Sequence, residues 1–245
     1  MGKNIPSKQS EFIVPKKFPS CVYSKISSIM YTQNQKYPQS VSEFSYAWMA
    51  VKYRFCSCFE SNKNFTKSVK KFGDGPPPFE RYIQEKELFH FFINGYSTLD
   101  CFGYALYMVA SIIKPASFPV EPPKLKHIYF LNTCEKFNSI ENSFQNDRIK
   151  DELNLVKDSE TFEDWKTIRH ALIHRISPGR TFHQTVGSIR QRGKTTWNID
   201  NKTFDIDECF TSSRLSWLED SLINLLDAVL NFTSKSIQNY HLNSS

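Results

Sequence analysis

One arginine and two histidines lie close together in the sequence and have the side chains that phosphodiester chemistry needs. Arg169, His170 and His174 fall in the stretch TIRHALIH. A guanidinium can hold phosphate oxygens through two parallel hydrogen bonds, and an imidazole exchanges protons near neutral pH. Because RNA supplies its own nucleophile in the 2′-hydroxyl, these groups suit its cleavage without a metal ion. His174 would act as general base or acid, and Arg169 would stabilise the charge that develops on phosphorus. His170 would orient or polarise the phosphate.

The element that must position these residues is a short helix. An apolar period begins near Thr161 and ends before Pro178, and its predicted buried residues are Phe162, Trp165, Ile168, Leu172, Ile173 and Ile176. At about 100° per residue, Arg169 falls within this apolar face. His170 and His174 lie next to each other on the helix surface, between the edge of the apolar face and the outer side. A guanidinium on a buried face needs a carboxylate, a dimer partner or an anionic ligand to offset its desolvation. The open alternative to an anion site is an ion pair inside the bundle, to Asp100 or Glu87.

Asp100 is a second candidate for the same site. It lies among Leu99, Cys101 and Phe102, where an isolated carboxylate is costly. We therefore expect it to pair with an arginine or to face a polar cleft. With Arg169, His170 and His174 it completes the candidate catalytic set.

A basic segment follows the predicted helix and is a candidate RNA-binding surface. Its members are Arg180, Arg190, Arg192 and Lys194. Trp197 lies close by, and a mixture of cations and aromatic rings suits RNA phosphates and base stacking. Asp200 and Asp205 dilute the positive field, so a merely solvated loop is the alternative interpretation.

Apolar periodicity places the short helix in a mainly helical chain. The spacing predicts helices over 40–71 and 79–113, a polar helix over 133–157 and a C-terminal helix over 212–237. Residues 114–132 contain four prolines and are expected to connect helices over the surface. The helix over 79–113 is apolar almost all round and contains Gly95, Ser97, Gly103 and Ala105. We expect it to be the central helix, closely approached by its neighbours.

The predicted fold class is all-α: a bundle of four to five helices with a small β-hairpin before the C-terminal helix. The hairpin is predicted over about 195–206, because alternating apolar residues flank the turn dipeptide Asp200-Asn201. A chain of 245 residues suffices for one domain with a substantial core. We place that domain at 39–238, after a partly irregular N-terminal arm, 1–38, and before a C-terminal tail, 239–245.

Composition and charge narrow the classes of function. A hydrophobic fraction of 40% with 15% aromatic residues indicates a globular core rather than a disordered or fibrous chain. The net charge of +6 permits an acidic partner such as RNA without identifying one. The N-terminus has no apolar signal region and no apolar run suits a membrane span, so we expect a cytoplasmic protein without a membrane partner. The six cysteines lack Cys-x-x-Cys spacing, so free thiols rather than a metal site are expected.

The histidine-containing stretch also resembles a known family. Arg169, the polar His170 directly after it, and His174 after three further residues match the Arg-polar-x-x-x-His motif of HEPN domains. The segment FFINGYSTLD, residues 91–100, is similar to the apolar helix that precedes the motif in that family. The resemblance implies a helical bundle and a homodimer in which two motif helices meet in one cleft. It implies metal-independent RNA cleavage that leaves a 2′,3′-cyclic phosphate and a 5′-hydroxyl, with no cofactor.

Family habit also suggests biological roles and one alternative. A HEPN-type endoribonuclease of this kind would serve as a toxin or in antiphage defence, with an antitoxin or other regulatory protein as partner. Ile176 stands where the toxins paired with a nucleotidyltransferase have tyrosine, which argues against a partner of that type. The alternative is a catalytically silent HEPN module that binds nucleotide or RNA, or that mediates protein dimerisation.

Overall fold

The computed structural model describes residues 14–139, 144, 147–174, 178–183 and 194–242. Within these residues the chain forms eight helices and one three-stranded antiparallel sheet. The helices are α1 (Ser20–Tyr31), α2 (Pro38–Phe72), α3 (Pro78–Ile113), α4 (Pro122–Leu125), α5 (Phe130–Asn138), α6 (Arg148–Lys157), α7 (Glu160–His174) and α8 (Glu208–Leu242). The strands are β1 (Arg180–His183), β2 (Lys194–Ile199) and β3 (Lys202–Asp205). The predicted class, mainly α-helical with a small β-hairpin before the last helix, is confirmed.

Two long helices, α2 and α3, form the centre of the bundle. Their bounds lie within two residues of the predicted 40–71 and 79–113. Prolines in the first turn of each helix suit these starts, and Gly73, whose φ of 77° favours glycine, follows the last residue of α2. Most of α3 is buried from Leu88 to Ile112, as expected for the central helix. In the part of the chain that the structure describes, no helix is both long and apolar enough to cross a membrane.

Glycines let two helices approach the backbone of α3 closely. The indole ring of Trp165 on α7 occupies the space where a Cβ of Gly95 would lie. At Gly103 a Cβ would lie 2.5 Å from the Cα of Phe130, the first residue of α5. The prediction of close approach is therefore confirmed at Gly95 and Gly103, and the first of these contacts seats α7.

The prediction of a single polar helix over 133–157 is wrong, because the chain forms two helices there. Ser139, after α5, has an extended backbone, so the helix does not continue. The carboxylate of Asp147 accepts a hydrogen bond from the backbone N–H of Ile149 and caps the start of α6. The predicted connection, 114–132, also contains the short α4 and the first residues of α5.

The predicted N-terminal arm contains a helix packed on the bundle. Ile26 and Met30 of α1 are fully buried. The Tyr23 hydroxyl donates a hydrogen bond to the Trp48 carbonyl at 2.8 Å, and the two rings stack with centroids 4.8 Å apart. At the other end of the chain, α8 exceeds its predicted bounds of 212–237 on both sides. It begins early because Asp207 accepts hydrogen bonds from the backbone N–H groups of Cys209 and Phe210.

The small sheet confirms the predicted hairpin and adds a strand. Asp200 and Asn201 both have positive φ, as a two-residue hairpin turn requires, and join β2 to β3. The strand β1, which pairs with the other side of β2, was not predicted. Trp197 of β2 is fully buried, so its ring is not exposed for the base stacking that the sequence suggested for this segment.

Candidate functional site

The helix α7 presents the candidate residues along the edge of its buried face. The Ser159 hydroxyl accepts a hydrogen bond from the Phe162 N–H and caps the helix. The residues it buries are Phe162, Trp165, Ile168 and Ala171. Leu172 is only half-buried and Ile173 is 42% exposed, so the prediction that Ile173 is buried is wrong. Ile176 lies outside the described residues.

Arg169 lies half-buried at this edge, with its guanidinium over an aromatic ring. The carbon Cζ is 5.3 Å from the centre of the Tyr96 ring on α3. Its Nε is buried and has no hydrogen-bond partner among the described residues. No ion pair within 4.0 Å joins Arg169 to Asp100, while Glu87 pairs with Lys86 at 3.1 Å. The buried ion pair considered from the sequence is therefore not formed within the described chain.

Asp100 is held chiefly by the start of another helix. Its Oδ1 accepts a hydrogen bond of 3.3 Å from the N–H of Phe130, the first residue of α5. The neighbouring Tyr129 provides no side-chain cap, so Asp100 satisfies a donor that would otherwise lack a partner. Burial raises the pKa of Asp100 from 3.8 to about 6, although the Phe130 hydrogen bond and the charge of Arg169 both act to lower it. The charge of Arg169 thus acts on Asp100 although no hydrogen bond or ion pair within 4.0 Å joins the two side chains.

The raised pKa of Asp100 predicts how the stability of the protein depends on pH. Between about pH 4 and pH 6 the folded state binds more protons at this carboxyl than the unfolded state, so the contribution of Asp100 to stability falls as pH rises. The stabilisation by protonated Asp100 is complete below about pH 4 and is lost as pH rises through about 6. Asp100→Asn keeps an acceptor for Phe130 and has no charge to bury. After allowance for partial exposure, we expect its free energy of unfolding to exceed that of wild type by about 2 kcal/mol at pH 7 and by much less at pH 4.

Urea unfolding of both proteins at several pH values measures this difference. The exposed Asp151→Asn is the control for the loss of one carboxylate. A constant difference between wild type and Asp100→Asn from pH 4 to pH 7 would show that Asp100 is not costly to ionise in the fold.

His170 and His174 form an exposed pair of imidazoles on α7. Their ring centres are 4.9 Å apart and the ring planes meet at 48°. Both side chains are exposed, so a ligand can reach them. The prediction that they are neighbours, directed outward from the edge where Arg169 lies, is confirmed. One cation and two groups able to transfer protons therefore occupy one side of a single helix.

The predicted RNA-binding set behaves differently at each position. Arg180 is buried and forms an ion pair with Glu85, and it donates further hydrogen bonds to the Gln84 side chain at 2.7 Å and the Asp74 carbonyl at 2.8 Å. Arg180 is therefore a structural residue that links β1 to α3, and it is not an exposed ligand for phosphate. Arg190 and Arg192 lie outside the described residues. Lys194 begins β2, and only its backbone is described.

Tyr96 belongs to this site, although the sequence did not single it out. It precedes Asp100 by four residues, so the two share a face of α3. Its ring stacks on Phe162 of α7 at 5.6 Å and underlies the guanidinium of Arg169. Burial, followed by the charge of Asp100, raises the pKa of the Tyr96 hydroxyl, which is therefore neutral at physiological pH. The four-residue spacing was a signal that could have identified it.

Comparison with known protein families, with curated proteins and with solved structures finds no match to this chain. Across the described residues, no three His, Cys, Asp or Glu side chains are grouped as ligands for a metal ion. Function must therefore be inferred from the residues and geometry of α3 and α7.

Proposed function

We propose that the protein is a metal-independent endoribonuclease of the HEPN type that acts in a cleft between two copies of the chain. The supporting observation is the guanidinium of Arg169, half-buried and without an ion pair among the described residues, beside the adjacent imidazoles of His170 and His174. A half-buried guanidinium at the edge of a core, without an ion pair among the described residues, is suited to an anionic ligand.

The proposed reaction is an internal transfer at phosphorus. His174 takes the proton of the RNA 2′-hydroxyl as the bond from that oxygen to phosphorus forms. The bond from phosphorus to the 5′-oxygen breaks, and His174, protonated in the first step, gives that oxygen its proton. Arg169 stabilises the extra negative charge on the phosphoryl oxygens, and His170 orients the phosphate. The products are a 2′,3′-cyclic phosphate and a 5′-hydroxyl.

The biological setting proposed for this activity is a cytoplasmic toxin or an antiphage effector. An RNA is the substrate, a second copy completes the site, and an antitoxin or regulatory protein restrains it. One observation favours the alternative of a silent module that binds nucleotide or RNA. The charge of Asp100 acts on Arg169 from within the same chain, so an intramolecular carboxylate supplies part of the compensation that a phosphate would give.

The test is an RNA cleavage assay in excess EDTA with the purified 245-residue chain. Wild type is expected to cut labelled single-stranded RNA or transfer RNA and to leave cyclic-phosphate ends, identified by mass spectrometry. The double variant Arg169→Ala/His174→Ala should lose at least about 1,000-fold in rate, because it lacks both charge stabilisation and proton transfer. Sedimentation of both proteins determines whether each is a dimer.

The matched control is His127→Ala, which removes an exposed histidine from the segment between α4 and α5. It should cleave like wild type. Equal traces of cleavage in wild type and the double variant would instead indicate a contaminating nuclease and favour the silent module.

A further inference from the structure

A groove lined by lysines lies on the C-terminal half of α2, where the start of α8 crosses it. It has a volume of about 590 Å³, and its walls include Phe59, Lys63, Lys67, Lys70, Lys71 and Ser212. None of the residues of the candidate site lines it. We call it the lysine groove.

The charge of the lysine groove is almost entirely positive. All four lysines are exposed, and no acidic residue belongs to its lining. Lys63, Lys67 and Lys70 recur at one-turn intervals, so their ammonium groups form a row along the helix. Glu208 approaches Lys70 at 3.7 Å, but both side chains are exposed and such a pair neutralises little.

A structural role explains only part of this row. Lys70 and Lys71 lie in the last turn of α2, where cations stabilise the carbonyl end of a helix. Lys63 and Lys67 lie further inside the helix, and neither forms an ion pair within 4.0 Å with another described residue. Lysines that repel one another along a helix are unfavourable unless an anion neutralises them.

The floor of the lysine groove supplies neutral hydrogen-bonding groups. The Oδ1 of Asn62 accepts a hydrogen bond from the Ser212 hydroxyl at 3.3 Å, which leaves the amide hydrogens of Asn62 for another acceptor. Phe59 adds a half-buried ring to the wall. Ammonium, amide and aromatic groups along one groove match the phosphates and bases of a single nucleic-acid strand.

We propose that the lysine groove binds the phosphodiester backbone of single-stranded RNA, outside the site of cleavage. The identification of the anion as RNA rests on the proposed function, whereas the anion-binding chemistry does not. A nucleic-acid strand fits better than a membrane, because Phe59 is the one large apolar residue in the lining, whereas a helix that lies on a membrane needs a face of several apolar side chains.

The test compares two triple variants that each remove three positive charges. Lys63→Gln/Lys67→Gln/Lys70→Gln alters the groove, and Lys25→Gln/Lys124→Gln/Lys126→Gln alters exposed lysines elsewhere. Glutamine and lysine have similar helix propensity, so both variants should fold, which circular dichroism checks. Binding of a labelled RNA of about 16 nucleotides is followed by fluorescence anisotropy between about 50 and 200 mM salt. All proteins also contain His174→Ala, so that cleavage does not affect the result.

The groove variant is expected to lose at least about 10-fold in affinity at about 50 mM salt. The slope of log affinity against log salt should become shallower by about 2, because each phosphate that a lysine neutralises contributes about 0.7 to it. The control variant should stay within about 2-fold of its parent. Equal losses in both variants, no loss in either, or no RNA binding by the parent would each overturn the proposal, as would binding to phosphatidylserine vesicles in place of RNA. Since cleavage is not measured, an RNA-binding groove remains distinguishable from a failed nuclease.

Discussion

Replacing Arg169 by lysine is expected to slow RNA cleavage by about 100- to 1,000-fold, although the substitution keeps the positive charge. The reason lies in the shape of the guanidinium. It is planar, so it can lie over Tyr96 with Cζ 5.3 Å from the ring centre and still offer its edge to two phosphate oxygens. An ammonium on a flexible chain is a point charge without this fixed fork.

The position of Arg169 makes the exchange more costly. The buried Nε has no partner among the described residues, and within them the contact that holds the guanidinium is the Tyr96 ring. A lysine side chain would not fill the same space over the Tyr96 ring, and its ammonium group would not occupy the position of the guanidinium. The loss should therefore appear mainly in kcat, because the interaction with the phosphate strengthens as charge develops on phosphorus.

Single-turnover and steady-state cleavage rates measure this effect. Arg148→Lys is the matched control, since Arg148 is exposed and pairs with Glu152 within one helix at 3.2 Å. It should retain the wild-type rate. If Arg169→Lys cleaves as fast as this control, Arg169 contributes only net charge, and the proposed grip on the phosphate is wrong.

Local patterns in the sequence were sufficient for the two central helices and for the place of the histidines. The bounds of α2 and α3 follow from apolar spacing and from proline and glycine at their ends, which act within a few residues. The adjacency of His170 and His174 follows from helix geometry alone. The hairpin turn at Asp200 and Asn201 is equally local.

The features that sequence reasoning missed depend on contacts between distant residues. Arg180 was predicted to be an RNA-binding residue of a basic loop, yet it is buried because Glu85 and Gln84, about a hundred positions earlier, surround it. The burial of Ile173 was predicted from periodicity, but α7 contacts α3 through a narrower face than that pattern assumed. Tyr96 becomes part of the site only because α7 crosses α3 there. No local rule identifies such neighbours.

Gly95→Ala is expected to lower the free energy of unfolding by about 3 kcal/mol, a large part of the stability of an ordinary domain. In a helix, alanine is normally the better residue by about 1 kcal/mol, so the sign of the effect depends on packing. The added methyl group would overlap the Trp165 ring, with the Cys58 sulfur on another side at 3.1 Å. Trp165 cannot easily move away, because it is fully buried against Phe91 and Phe92.

Urea unfolding measures this loss, and Gly179→Ala is the matched control. A Cβ at Gly179 meets nothing within 4 Å, so that change should alter the free energy of unfolding by less than about 0.5 kcal/mol. Trp165→Phe provides a second arm, since a smaller ring should relieve the overlap and make the double variant less unstable than the sum of the single changes. Additive effects would mean that the methyl group does not meet the indole.

The same variant connects the fold with the proposed chemistry. Trp165 seats α7 on α3, and Arg169 lies one helical turn farther along α7, so a shifted indole would move Arg169 away from Tyr96. We therefore expect the folded fraction of Gly95→Ala to cleave RNA more slowly than wild type, whereas Gly179→Ala should not. If folded Gly95→Ala retained full activity, the close approach at Gly95 would serve stability alone, and the Arg169–Tyr96 geometry would not limit the reaction.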